Sequence, residues 1–436
     1  MTYQQTINYL FSRLPMFSRI GADAFKKDLT NTIRLCEFLD NPHKKFKSIH
    51  IAGTNGKGSV SHMLASIMHS SGYKTGLYTS PHLKDFRERI KCSGKNFLEM
   101  IPEEFVIEFT KKIKPLIEEI EPSFFEITVA MAFDYFAQQQ VDIAIIEVGL
   151  GGRFDSTNII TPELSVITNI GYDHMNILGD SLEKIAFEKA GIIKKNVPVV
   201  IGETLPVTKT IFEEKAKQEN AEIHFAREKR NVQDWQWEKH ELIVEVEEQH
   251  RTDHSVFHLD LPGIYQTKNL LAVLEACSIL KDLNFNISLN AIKTGLAHTK
   301  KITGLHGRWE VLQNNPTVVL DVAHNEDGIK QLILQVELTN HHELHIVTGM
   351  VKDKEVDKVL SLLPHSANYY FTQAHIPRAL TADVLKEKAE QFNLKGNSYP
   401  DVNTALKAAI VKSGKEDLIL VCGSLFLIGE VNTSAH

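Results

Sequence analysis

The sequence predicts two α/β domains, the first built on a mostly parallel sheet with a small antiparallel excursion and the second smaller and C-terminal. Three observations predict this. An apolar run at 48–52 ends in a glycine-rich turn and passes into an amphipathic helix. Short apolar runs alternate with helix-like stretches, and the alternation restarts after about residue 300. A chain of 436 residues also exceeds what one core usually spans. The expected limits are 1–298 and 299–436.

Residues 1–46 read as charged and helical, with apolar positions at helical spacing over 22–39. The strand that follows ends in Gly53-Thr54-Asn55-Gly56-Lys57-Gly58-Ser59. Glycines let a backbone turn sharply and aim its N–H groups inward, a lysine adds a point charge, and a serine can ligate Mg²⁺. This is a P-loop-type turn, although a glycine separates Lys57 from Ser59 and the spacing departs from GxxxxGK[ST]. Val60, Met63, Leu64, Ile67 and Met68 then form one helical face that Gly72 can close. An ordinary strand-to-helix turn does not need this combination.

Further strands are expected at 76–79, 142–148, 164–170 and 197–201, giving a parallel sheet covered on both faces. Over 227–261 charged residues interleave with Trp235, Trp237, Leu242 and Val244, which reads as an appended antiparallel sheet. A helix follows Pro262-Gly263. The Gly-, Thr- and Lys-rich stretch 296–307 reads as a connection, after which strands at 317–322, 344–349, 368–371 and 418–422 predict a Rossmann-like domain.

A net charge of −7 argues against a protein that coats nucleic acid. Four scattered cysteines without a CxxC pair suggest neither a disulfide framework nor a zinc site. No signal-like core and no apolar run of eighteen residues occurs. A cytoplasmic monomer with small-molecule partners, free of nucleic acid and membrane, is expected.

Ligands of parallel sheets gather at the carboxyl ends of strands. Ser80, Glu147 and His174 each follow or end an apolar run, and together form an oxygen-rich magnesium site in which imidazole is the least usual ligand. A glutamate in an apolar strand needs a partner or a metal. Lys189 falls on the apolar stripe Leu182, Ile185, Ala186, Ile193. It can snorkel to solvent, contact phosphate, or react with carbon dioxide to give a metal-binding carbamate. In the second domain Arg308 and Asp321 can approach a nucleotide held between the domains, or form a salt bridge there.

Residues 53–59, Thr79-Ser80-Pro81-His82, 147–158, 172–193, 266–269, Arg308 and Asp321-Val322-Ala323-His324-Asn325 together resemble the folylpolyglutamate synthase and dihydrofolate synthase family of the Mur ligase superfamily. The resemblance implies that ATP phosphorylates a carboxylate of folate or dihydropteroate and that L-glutamate attacks the acyl phosphate. It assigns Gly53 to Ser59 with Asn269, Arg308 and Asp321 to ATP, and Ser59, Ser80, Glu147, His174 and Lys189 to magnesium, with two ions expected. Lys57, Lys189 and His324 become catalytic candidates, His324 at the γ-phosphate or acyl phosphate, and Lys189 matches a lysine carbamylated in the family. The pterin is expected near Phe124, Phe125, Arg153 and Asp155. A Mur-type ligase acting on a cell-wall precursor is the alternative, although only about fifty residues precede the loop and leave little room for a UDP-sugar domain.

Overall fold

β1 (Lys47–Ala52) is buried on both faces because helices cover both. It is central in a sheet that also contains β2 (Thr75–Tyr78), β3 (Ile90–Ser93), β4 (Leu98–Met100), β5 (Ile143–Glu147), β6 (Leu164–Ile167), β7 (Val199–Ile201) and β8 (Ile223–Phe225). The order is β4-β3-β2-β5-β1-β6-β7-β8, parallel from β2 to β8, with β3 and β4 added antiparallel at one edge. This computed structural model describes residues 1–16, 21, 28–238, 240–249, 254–352 and 355–432. Helices run over Tyr3–Arg13 and Thr30–Phe38, while residues 22–27 of the expected 22–39 helix lie outside the described residues.

Register assigns each side chain to a face. His50 pairs with Ile146 and Ala52 with Ile167, and this face packs against the helices Glu103–Ile120, Phe124–Gln138 and Leu182–Ala190. Ile49 and Ile51 point the other way, and Glu147, opposite Ile51, points with them toward the side of the helix Lys57–Ser70. The one imidazole within β1, His50, bonds Thr157 Oγ1 at 2.8 Å, and burial pushes its pKa down to about 3, so it is neutral.

The antiparallel excursion is present as β9 (Arg230–Glu238), β10 (Glu241–Glu248) and β11 (Ser255–Leu259), with residues 239 and 250–253 outside the described residues. Trp235 and Trp237 pair with Val244 and Leu242, their rings 4.8 Å apart. The helix Gln266–Asp282 holds this sheet through fully buried Glu275, which binds Arg230 and, at 3.0 Å, Lys229.

The chain divides into two compact units, one of Met1–Asp260 with Gln266–Leu305, the other of Leu261–Tyr265 with His306–His436. Residues 296–305 are therefore not a connection. The helix Thr299–Thr303 is packed into the first unit, where Lys91 Nζ donates to Thr303 O at 2.6 Å and Thr303 Oγ1 bonds His62 Nδ1 at 2.7 Å. Composition alone concealed this, because the clamping residues are more than two hundred positions away.

The second unit contains β12 (Glu310–Gln313), β13 (Thr317–Leu320), β14 (Leu344–Thr348), β15 (Asn368–Phe371), β16 (Gly396–Ser398) and β17 (Leu418–Cys422). Their order is β12-β13-β17-β14-β15-β16, parallel except for the β12–β13 pair. Val319, Ile346, Phe371 and Leu420 form its core with Leu332 and Leu385 from the flanking helices.

Candidate active site

The turn after β1 is shaped by two glycines. Gly53 has φ +151°, and a Cβ there would fall 1.8 Å from Thr168 Oγ1. Gly56, φ +81°, caps the helix Lys57–Ser70, and its Cβ would fall 2.3 Å from Asn269 Oδ1. The loop after β6 holds the turn from outside: Thr54 N donates to Asn169 O at 3.1 Å, Asn55 N to Asn169 Oδ1 at 2.8 Å, and Thr54 Oγ1 to Gly171 O at 3.1 Å. The first helical turn then presents its N–H groups at the mouth of the loop, which favours an anion.

Both lysines of the site meet one carbonyl. Lys57 Nζ donates to Gly53 O at 2.9 Å and Thr54 O at 3.1 Å, and Lys189 Nζ to Gly53 O at 2.8 Å. Burial, reinforced by the Lys57 charge, pushes the Lys189 pKa down to about 7, against the pull of Asp173 and Asp155. Lys189 is buried rather than snorkelling, and a large share of it is neutral amine at neutral pH.

Ser59 is buried and accepts from Gln266 Nε2 at 3.1 Å, while Asn269 Nδ2 donates to Gln266 Oε1 at 2.8 Å. The start of the helix Gln266–Asp282 is thus bonded to the first turn of the helix that follows the glycine loop. Ser80 and Glu147 come together because β2 and β5 are neighbours, and Ser80 N donates to Glu147 Oε2 at 3.2 Å. Glu147 is buried at the end of its strand. His174, with φ 52°, lies in the loop after β6, its N–H donating to Asp173 Oδ1 at 2.8 Å. A buried carboxylate, two serine hydroxyls and a glycine cradle fit a hard cation and a phosphate chain.

The expected pterin residues separate. Phe124 is a core residue, packed against Phe11, Phe86 and the Arg89 guanidinium. Asp155 is spent on its own loop, accepting Leu150 N at 2.8 Å and Thr157 N at 3.0 Å, so its oxygens shape the turn after β5. Arg153 is exposed, paired with Glu188 at 2.7 Å and lying over Phe154 and Phe187. Phe125 is half-buried and covers Gly149, where a Cβ would fall 2.4 Å from its ring.

In the second unit Asp321 follows β13 and is buried. Tyr265 Oη donates to its Oδ2 at 2.6 Å, Trp309 N to the same oxygen at 2.8 Å, and Ala323 N to Oδ1 at 2.9 Å. Burial pushes this carboxyl up, opposed by these bonds and by the Arg308 charge. Arg308 Nη1 donates to Gly307 O at 3.1 Å, and His324 Nδ1 lies 2.8 Å from Val322 O.

Models of known families match both units: the Mur ligase middle domain over 51–277 and the Mur ligase glutamate ligase domain over 307–425. The dihydrofolate synthase/folylpolyglutamate synthase of Bacillus subtilis strain 168 is 33% identical, with 98% of each chain covered. The chain belongs to the dihydrofolate synthase/folylpolyglutamate synthase family of Mur ligases. A solved Escherichia coli FolC structure in complex with DHPP and ADP matches this Mur ligase with TM-score 0.83 and 29% identity, over 98% of this chain and 96% of that one. A folylpolyglutamate synthase complex with AMPPCP and folate matches with TM-score 0.84 and 28% identity, over 100% and 99%.

Several residues around this Mur ligase loop escaped the sequence reading. Thr168 and Asn169 were expected inside the strand 164–170, but β6 stops at Ile167 and these residues, with Gly171, turn to hold the loop after β1. Gln266 was visible beside Asn269, and Tyr265 only through its bond to Asp321. His82, within the Ser80 motif, stacks on Phe11 and accepts from Arg89 Nε at 2.7 Å; burial first and then the Arg89 charge push its pKa down to about 3.

Proposed function

We propose that the carboxylate of a folate-type substrate is phosphorylated by ATP in this protein and that the amine of L-glutamate then attacks the acyl phosphate, forming the amide and releasing phosphate. The chain is an ATP-dependent acid–amino-acid ligase of the folate class. The observation that carries the assignment of roles is the Ser80–Glu147 contact at the adjacent carboxyl ends of β2 and β5, in the same sheet as the loop that ends β1.

The N–H groups of the first helical turn bind the phosphates, and Lys57 exchanges two loop carbonyls for phosphate oxygens. Gln266 bonds Ser59, and Asn269, bonded to Gln266, lies close against Gly56. Ser59, Ser80, Glu147 and His174 would hold magnesium, whose charge offsets that of the phosphates beside an anionic substrate. Lys189, as neutral amine, can add to carbon dioxide with loss of one proton, which replaces an ammonium by a carboxylate among those ligands. Asp321 and Arg308 are assigned to ATP and His324 to the transferred phosphoryl group. The first unit is the ATP-binding domain and the second the glutamate-ligase domain. Phe125 is the best placed of the four expected pterin residues, since it lies over the turn that follows Glu147.

The test is incorporation of labelled L-glutamate with ATP and Mg²⁺, with dihydropteroate and tetrahydrofolate supplied in parallel. Incorporation with both establishes a bifunctional enzyme, and with tetrahydrofolate alone a polyglutamate synthase. Incorporation with neither, by folded protein that binds ATP, overturns the reading.

A further inference from the structure

The N-terminal ends of β14 and β17 carry donor atoms that the proposed reaction leaves unused. One atom each of Glu343, His345 and Asp417 lie within 4.8 Å of one another. Glu343 immediately precedes β14, His345 is its second residue, and Asp417 immediately precedes β17. The parallel pairing of Leu344 with Leu418 fixes these positions on the sheet. Asp321 follows β13, which runs parallel to β17, so the group is at the opposite end of this sheet from Asp321.

We propose that Glu343, His345 and Asp417, with His342 as fourth donor, form a structural site for one divalent transition-metal ion such as Zn²⁺, distinct from the magnesium that serves ATP. His345 Nε2 lies 3.2 Å from Asp417 Oδ2 and His342 Nδ1 3.6 Å from Asp417 Oδ1. Two donors on a tetrahedral ion with bonds of about 2.0–2.1 Å stand about 3.4 Å apart, close to both separations from Asp417, and His342 turns toward the other donors to complete the set. Two imidazoles and two carboxylates suit zinc over magnesium or calcium, and the carboxylates neutralise the ion.

The surroundings already orient the donors. Gly414 N donates to Asp417 Oδ2 at 2.6 Å and Glu343 N to Oδ1 at 3.0 Å, and such bonds hold this carboxyl below its usual range although burial opposes them. His345 is fully buried and its Nδ1 lies 3.1 Å from Tyr370 Oη, the outer-shell contact that fixes a metal-binding imidazole. A metal ion on Nε2 would need the ring N–H at Nδ1, where the Tyr370 hydroxyl can accept it. Glu343 and His342 are exposed and give the ion its entry.

The test uses full-length protein stripped with a chelator and titrated with Zn²⁺ by calorimetry in excess Mg²⁺, with thermal unfolding measured alongside. The expected result is one equivalent of zinc and a zinc-dependent rise in Tm. Glu343→Gln and His342→Ala, both at exposed positions, weaken the binding at least about tenfold. The zinc phase survives in Glu147→Gln, and glutamate-ligating turnover in Mg²⁺ is unchanged in Glu343→Gln. The proposal is overturned if no zinc phase occurs, if Glu343→Gln binds zinc as the wild type does, or if Glu147→Gln abolishes the phase.

Discussion

At the scale of single residues the site is governed by two lysines on one carbonyl. Lys57→Ala removes the charge meant for phosphate while leaving the core untouched, so kcat/KM should fall by about 10²–10³ with an unaltered circular dichroism spectrum. Near-normal turnover would remove Lys57 from the phosphate role. Lys189 carries a second prediction because its pKa is about 7 in the fold and near 10.5 when unfolded. Between these values the unfolded chain binds more protons, so this residue makes stability rise with pH, by up to about 1.4 kcal/mol per unit. Lys189→Met should lose that part of the slope between pH 7 and 9, measured as Tm against pH. Lys189→Ala should lose synthesis and recover part of it with a small added carboxylic acid. Lys189 was legible as an anomaly on an apolar stripe, and the sequence left its fate open because snorkelling depends on packing. Asp155 shows the converse: it was expected beside the pterin, yet backbone N–H groups take up its oxygens.

At the scale of elements, the strand, turn and helix of residues 47–70 were legible because apolar period and glycine spacing agree there. The partners of that turn were not. Thr168 and Asn169 read as the end of an apolar strand, and the start of the helix Gln266–Asp282 reaches the loop only through the fold. Gly56→Ala would force a left-handed residue against Asn269, costing about 1–2 kcal/mol of stability and most ATP affinity, which calorimetric titration with ATP would read. The link from this helix to β9 is also strong. Glu275→Ala would leave Arg230 with Glu248 as its remaining carboxylate and remove the fully buried one, and denaturant unfolding should show a loss of about 1–3 kcal/mol in the first unit.

At the scale of the whole molecule, two cores and a chain that changes unit at 260/261, 265/266 and 305/306 set the behaviour. The alternation of strands revealed two α/β bodies, but nothing local marked 261–265 as belonging with residues 306–436. Its place comes from Ile264 N donating to Gln335 Oε1 at 2.6 Å and from Tyr265 on Asp321. Tyr265→Phe should lower the stability of the second unit by about 1–3 kcal/mol, since a buried carboxylate loses a donor. Buried Trp309 would report that transition, and Trp235 with Trp237 would report the first unit unchanged.

The bond from Gln266 to Ser59, and the packing of Asn269 against Gly56, also set an order of events during synthesis. A growing chain finishes its glycine loop early, yet the residues that bond Ser59 and pack on Gly56 emerge more than two hundred positions later. Until the helix Gln266–Asp282 has left the ribosome, the loop has its sequence but not its support, and a chain stalled before residue 266 should retain no ATP.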